Sequence, residues 1–394
     1  MHVIIIGAGI GGLTAAHTLL RAGFTVQVFE QATELHEVGA GIQISPNATR
    51  LLHRLGIADQ LQQCAVRPVA MVMRRWEDGA VLSRQPLADV CEETFGAPYY
   101  HFYRPDLLAV LAAGLPAGIV QLGHRCVAIT QGEDQVAARF ETGVTAHADV
   151  LIGADGIHST VREQLFGPES PRFSGSIAYR GLVPAERLAH LQMERTMTAW
   201  LGPAQHFVHY YVGAAGRFVN FVGVVPAKDW RAESWSATGE VVDALAAFAG
   251  WGPQVREIIG AVDVTNRWGL YDREPLERWS VGRMTLLGDA AHAMLPFMAQ
   301  GAVQGIEDAF VLARCLADCR TGDISTALRR YEEVRKPRAS RVQARARQNG
   351  VTFHLPDGEQ QSTRDAQLAA AGGTNPLLAS AWLYGHDVEA EVAP

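Results

Sequence analysis

The sequence predicts an α/β chain of two domains, α+β overall, in which a parallel-sheet domain is split in sequence by an inserted antiparallel sheet. Three passages support this. The first is a strand, a glycine turn, a helix and a second strand at the N-terminus. The second is an aromatic and β-branched stretch over residues 173–225, and the third is a buried strand at 283–287 that ends in Gly288-Asp289. With 394 residues the chain is long enough for two cores. Its 48% hydrophobic and 19% charged residues are those of an ordinary globular protein.

In chain order, residues 2–6 form a continuous apolar run, as a parallel strand covered on both faces requires. Gly7-Ala8-Gly9-Ile10-Gly11-Gly12 follows, then a helix closed by Gly23 and a strand over 24–29 that ends at Glu30. This is a Rossmann-like βαβ unit. Gly7 makes the tight turn, Gly9 lets the backbone approach a pyrophosphate, and Gly12 permits close packing of helix on strand. The helix N-terminus offers its positive dipole end to phosphate. Glu30 stands where a carboxylate accepts ribose hydroxyls. The alternative is a glycine-rich turn without a ligand.

Residues 39–55 read as a glycine-rich loop leading into a short helix, 106–113 as a helix, and 119–128 and 135–152 as strands. The run 151–156 repeats the strand-then-glycine grammar and leads into Ser159 and Arg162. Over 173–225 short strands alternate with polar turns, the pattern of an antiparallel sheet. Helices follow at 239–250 and 253–261. After the strand at 283–287, an amphipathic helix places Ile306, Ala309, Phe310 and Ala313 on one stripe. A helix over 323–348 is expected to break near Pro337. Its basic run from 329 to 347, interleaved with Glu332 and Glu333, reads as a solvated face. The tail beyond 350 reads as a loosely packed lid or surface wrap.

A net charge of −7 without long basic runs argues against nucleic acid and anionic membranes as partners. No apolar run approaches the roughly 18 residues of a membrane helix, and the N-terminal run reads as a strand rather than a secretory leader. Five scattered cysteines without a CxxC pair fit reduced thiols in a cytoplasmic protein. No metal site is expected: His292 has no ligand partner at suitable spacing and reads as a residue that shapes its loop. Cys315 and Cys319 share a helix face and read as buried thiols. His158 and Ser159 beside Asp155 lie too close in sequence to form a hydrolase triad.

GxGxxG at 7–12, DGxxSxxR at 155–162 and GDAAH at 288–292 with Pro296 occur in one order. Together they resemble the class A FAD-dependent aromatic hydroxylases, the single-component flavoprotein monooxygenases, over residues 1–345. The words at 38–48, 178–184 and 296–309 are most similar to salicylate, 3-hydroxybenzoate and 6-hydroxynicotinate hydroxylases. The resemblance implies an FAD-binding domain of the 4-hydroxybenzoate hydroxylase type at 1–172, with some substrate-sheet strands around 65–105. It places the substrate sheet at 173–270, the second part of the FAD domain with its long helix at 271–345, and a tail at 346–394. FAD is the implied cofactor, NADH or NADPH a transient electron donor, and O2 the co-substrate. Only one complete dinucleotide fingerprint exists, which fits transient nicotinamide binding. The implied assembly is a monomer or homodimer.

Residue by residue, Gly7, Gly9, Gly12 and Glu30, with Gln31 beside it, are expected on the ADP half of FAD. Arg104 is expected against the ribityl–pyrophosphate region, its alternative being an ion pair with Asp106. Asp155 is expected near FAD and nicotinamide, or as a turn or cap residue. Asp289 is expected on the ribityl hydroxyls, and Val127 also belongs to the cofactor set. Gly301, Ala302 and Val303 open a helix whose N–H groups can stabilise negative charge on the flavin.

The implied reaction hydroxylates a monocyclic hydroxy-aromatic carboxylate, of the 3-hydroxybenzoate or salicylate type, through a C4a-hydroperoxyflavin. A base that deprotonates the ring hydroxyl favours this electrophilic attack, and histidine suits that task. On the strand at 205–212, His206 and Tyr210 share one face and match the family's His/Tyr pair. The opposite face, with His209 and Tyr211, remains open if a bulge intervenes, as does plain core packing. Gln43 and Gln300 are candidate substrate-binding amides. Where 6-hydroxynicotinate hydroxylases carry histidines this chain has Gln43 and Phe297, which weighs against 6-hydroxynicotinate 3-hydroxylation. The remaining alternatives are an FAD epoxidase or N-hydroxylase and a non-catalytic flavin-binding protein.

Overall fold

The computed structural model describes residues 1–35, 40–227, 238–319, 323–371 and 377–392. Val38 and Gly39 of the glycine-rich loop lie outside them, as do parts of the predicted sheet segment 173–270 and of the tail.

A six-stranded sheet forms one half of the core, in the order Ser280–Val281, Met284–Leu286, Val150–Gly153, His2–Ile6, Thr25–Phe29, Val120–Gln121. All neighbours are parallel except the hairpin at the Ser280–Val281 edge. Val3, Ile4 and Ile5 are fully buried at its centre, which is why the first strand shows no polar alternation. Helices Ile10–Arg21 and Gly301–Asp318 pack on each other against this sheet. Where they cross, a Cβ on Gly305 would lie in ordinary contact, 3.6 Å from both Gly11 Cα and Gly288 Cα, and one on Gly11 would lie 2.7 Å from Leu287 Cδ2, which would have to shift.

The other half is an eight-stranded sheet, in the order Thr238–Gly239, Thr265–Asp272, Arg172–Pro184, Phe218–Pro226, Gln205–Val212, Met197–Gly202, Ala70–Arg75, Val81–Pro86. It is antiparallel but for one pair, Met197–Gly202 with Ala70–Arg75. Those two strands come from distant parts of the chain, so no hairpin turn dictates their direction. One face of this sheet packs Phe207, Phe221 and Ile177 on helices Val241–Ala247 and Pro253–Gly260. The opposite face, through Ala178, Val224 and Leu270, meets Leu295, Phe297 and Ala346. Between the two large sheets a small ladder pairs Gly41–Ile44 with Tyr100–Tyr103.

The C-terminal half departs from expectation in three ways. Helix Ile324–Phe353 runs unbroken through Pro337. Arg335 and Arg338, on either side of that proline, are anchored to buried carboxylates, and this offsets the missing hydrogen bond. The basic run is a solvated face only in part: Arg329, Arg330, Arg341 and Arg345 are exposed, whereas Arg335 is fully buried. Among the described residues the end of the tail is packed rather than loose, with Leu377, Leu383, Tyr384, Val388 and Val392 buried around helices Ala381–Tyr384 and Val388–Glu391. Its apolar residues are too thinly spaced for a sequence pattern to reveal this.

Candidate active site

A cleft of about 570 Å³ opens at the carboxyl ends of the parallel strands, lined by Gly7, Gly9, Glu30, Gln31, Arg104, Asp155, Asp289, Gly301 and Ala302 among others. Helices Ile10–Arg21 and Gly301–Asp318 both begin at it. Neither has a side-chain cap or an acidic residue in its first turn, so two positive helix ends converge there without caps of their own. Gly7, at φ +105°, could carry no side chain, since its Cβ would lie 2.3 Å from Ala154 O. A Cβ on Gly9 would meet no protein atom within 4 Å: that position opens onto the cleft. Glu30 spans the glycine turn, with Oε2 accepting the Ala8 N–H at 2.8 Å and Oε1 that of Ala32 at 2.9 Å. These features fit a dinucleotide whose pyrophosphate lies at Gly9.

The second and third motifs are tied to each other. Asp155 accepts from Ser159 Oγ at 2.5 Å and Val161 N at 3.1 Å, so it organises the start of helix Thr160–Phe166 as well as lining the cleft. Buried Arg162 donates to Ala290 O and Ala291 O, both at 3.2 Å, and so holds the GDAAH turn. Asp308 grips that turn from beneath, accepting from Gly288 N at 2.9 Å, His292 Nε2 at 2.6 Å and Arg335 Nε at 2.8 Å. Burial alone would raise the Asp308 carboxyl; His292 and Arg335 outweigh it and hold it at about 2. The adjacent Glu307 binds Asn47, Arg335 and Arg338. Asp289 faces the cleft, where burial raises its carboxyl against the pull of His292 and Arg104.

Strand Gln205–Val212 keeps regular register, so His206, Val208 and Tyr210 share a face. His206 is buried against Phe297, with ring centroids 5.3 Å apart, and its Nδ1 lies 2.7 Å from His354 Nε2. Burial, then His354, hold it well below the ordinary histidine range, so it is neutral and a net charge on its ring is disfavoured. Tyr210 packs on His101 at 4.5 Å, and burial pushes its hydroxyl up to about 12 against the pull of Arg180 and Gln43. It therefore remains a donor. Gln43 accepts from Tyr99 Oη at 2.8 Å.

Arg180 stands between these two residues. Register pairs Val208 with Val222 and Val222 with Arg180, which places Arg180 in the row between those of His206 and Tyr210, on the same face. Its Nε is buried without a hydrogen-bond partner, and no carboxylate pairs with it among the described residues. Its Cζ lies 4.2 Å from the Trp268 ring centroid. Burial lowers its pKa from 12.5 to about 10, which still leaves it charged at neutral pH.

A family model described as FAD binding domain matches residues 1–346. The chain is 47% identical to the 3-amino-4-hydroxybenzoate 2-monooxygenase PtmB3 of Streptomyces platensis, over 98% of this chain and 96% of that protein. It is 38% identical to a 6-hydroxynicotinate 3-monooxygenase of Bordetella bronchiseptica, over 87% of this chain and 89% of the relative. It also resembles the solved structure of Klebsiella pneumoniae HpxO complexed with FAD and uric acid, with a TM-score of 0.85 and 31% identity over 96% and 95% of the two chains. The chain belongs to the FAD-dependent monooxygenases. FAD is its cofactor, with NAD(P)H and O2 the general partners of such enzymes. Among the described residues no helix is long and apolar enough to cross a membrane.

Within this monooxygenase some cofactor candidates lie off the cleft surface. Gly12 sits beneath the turn, where a Cβ would fall 2.0 Å from Gly7 O. Val303 is buried in the core, and Val127 is at the surface beside the cleft-lining Cys126. Arg104 lines the cleft while Asp106 pairs with Arg217 at 3.2 Å, so the alternative ion pair does not form. Gln300 departs most from its expected role. Its amide is buried and bonded to Ser45 at 2.9 Å and Asn47 at 3.3 Å, and it braces the glycine-rich loop against the helix. His209 lies on the far face, among Arg74, Thr196 and Thr198. Arg180 and His354 were not anticipated. An arginine at an inward position of a strand was visible in the word at 178–184; nothing in the sequence marked His354.

Proposed function

We propose that this enzyme hydroxylates a monocyclic aromatic carboxylate bearing a ring hydroxyl, of the hydroxybenzoate type. Within that type, 3-amino-4-hydroxybenzoate, the substrate in the name of a 47%-identical relative, comes ahead of 3-hydroxybenzoate and salicylate. The observation that carries the reading is Arg180, a charged guanidinium set into an aromatic-lined face beside His206 and Tyr210 with no carboxylate paired to it among the described residues. A buried charge is costly until an opposite charge meets it, and a planar fork of donors matches a carboxylate.

In this arrangement the substrate carboxylate sits on Arg180 and the ring lies against Trp268 and the apolar residues around Phe297. The ring hydroxyl meets His206, which accepts its proton and so enriches the ring in electron density. Tyr210, held protonated, donates to a substrate oxygen. Gly9, Glu30, Arg104, Asp289 and the first turn at Gly301 would hold FAD, which supplies reduction by NAD(P)H and the activation of O2. Phe297 and Phe353 shield the hydroxyl–His206 contact from water.

The test is NADH and NADPH oxidation by the FAD-loaded enzyme with 3-amino-4-hydroxybenzoate, 3-hydroxybenzoate, salicylate and 6-hydroxynicotinate, with products identified. Stimulation by a hydroxybenzoate with one oxygen added to the ring is the expected result. His206→Gln should then suppress hydroxylation while FAD content stays the same. No stimulation by any of the four would overturn the substrate class.

A further inference from the structure

His206 is 4% exposed, and its neighbours offer few routes for a proton. Leu201 and Val224 flank it across the sheet, Phe297 meets it from the loop before helix Gly301–Asp318, and Phe353 meets it from the end of the long helix. None of these titrates. Among the described residues the titratable group in contact with it is His354, whose ring stacks on His206 with centroids 4.9 Å apart and whose Nε2 lies 2.7 Å from His206 Nδ1; Arg180 stands on the same face in the next row. That pairing leaves His206 Nε2 for the substrate and His354 Nδ1 for the outside.

His354 is held where it can serve. It caps helix Ile324–Phe353, its N–H donating to Val351 O at 3.3 Å. Its carbonyl accepts the Ala204 N–H at 3.2 Å, which fastens the helix end to the turn just before the strand that carries His206. Its side chain is half-buried, so it stands between the sealed interior and water.

We propose that His206 and His354 form a proton relay that carries the substrate's ring-hydroxyl proton to solvent. This rests on the reading of His206 as the group that meets the ring hydroxyl. The transfer moves protons only. The hydroxyl proton passes to His206 Nε2, the proton on His206 Nδ1 passes to His354 Nε2, and the proton on His354 Nδ1 passes to water. Both rings remain neutral and exchange tautomers, and the reverse passage, which reprotonates the product oxygen, resets them. His354 touches no substrate; it acts through His206. A neutral buried histidine is a poor resting place for a proton, and onward transfer removes the need to store a charge there.

The relay is tested by stopped-flow proton release, read with an indicator dye in weak buffer. FAD-loaded enzyme without NAD(P)H is mixed with 3-amino-4-hydroxybenzoate, or with whichever panel compound stimulates NADH oxidation. 3-Aminobenzoate, which lacks the hydroxyl, is the control. The wild type should release a proton with the hydroxylated ligand and none with the control. His354→Gln keeps a hydrogen bond to His206 Nδ1 yet cannot pass a proton through its side chain. It should slow release at least tenfold, with FAD content and equilibrium ligand affinity unchanged. In the wild type, release rates in mixtures of H2O and D2O should bow below a straight line, as more than one proton in flight requires. Release by His354→Gln at the wild-type rate, a linear isotope series, or binding without proton release would each overturn the relay. If no panel compound stimulates NADH oxidation, the substrate reading fails and the relay fails with it; stimulation without His354 dependence sinks the relay alone.

Discussion

Arg180→Met separates the cost of an unpaired buried cation from the benefit it confers on binding. The fall in pKa from 12.5 to about 10 corresponds to about 3 kcal/mol by which surrounding protein disfavours the charged form. The side chain keeps some exposed surface, so this is an upper bound. Methionine removes that penalty and keeps an apolar stem against Trp268, while the cation–π contact it gives up is worth about 1 kcal/mol. The ligand-free variant should therefore be more stable than wild type by up to about 2 kcal/mol, measured by urea unfolding of the FAD-loaded protein. Carboxylate binding should move in the opposite direction. A hydrogen-bonded charge pair contributes about 1.5–3 kcal/mol, or about ten- to one-hundredfold in Kd. Titration of the flavin absorbance with benzoate and with benzamide, its neutral isostere, isolates this contribution. Wild type should prefer benzoate, and the variant should lose that preference with benzamide affinity unchanged. Equal affinity of the wild type for both ligands, or a variant that still selects benzoate, would refute the carboxylate role. Loss of FAD with selectivity intact would assign Arg180 to the cofactor instead.

Two glycines of one motif should fail differently. Gly12→Ala drives a Cβ into Gly7 O and should cost about 3 kcal/mol or more, seen as lost soluble yield, whereas Gly9→Ala should fold normally and lose FAD affinity in equilibrium dialysis. Asp308 is held below its unfolded value, so its contribution is present above about pH 4 and lost as pH falls towards about 2, amounting to about 2 kcal/mol. Urea midpoints between pH 6 and 3 should fall more steeply for wild type than for Asp308→Asn. His209→Phe, on the far face of the sheet, should leave kcat/KM within about twofold, since that ring meets Arg74 and the outer cavity rather than the substrate.

The parts of this enzyme that were readable in the sequence are those whose function needs backbone geometry or strict periodicity. Gly12 is dictated by a clash with Gly7 O five residues away and Gly7 by its positive φ, and the alternation of the strand at 205–212 survives because its register has no bulge. The parts that were not readable depend on where distant segments meet. Gln300 stands beside the cleft-facing Gly301, a position that suggests ligand contact, yet the glycine-rich loop folds back to place Ser45 and Asn47 against its amide. Arg335 and Arg338 look like solvated charge until Glu307 and Asp308, on the neighbouring helix, are known to be buried beneath them. His354 reaches His206 only because a helix of 30 residues passes through Pro337 without breaking and ends at the right sheet strand. The same buried carboxylates that make the arginines look out of place hold that helix through the proline. Asp308 also grips the GDAAH turn from the other side through Gly288 and His292. Asp308 therefore lies on a continuous path of ion pairs and hydrogen bonds from the cofactor turn into the helix that delivers His354, so its neutralisation should loosen both ends of the active site at once.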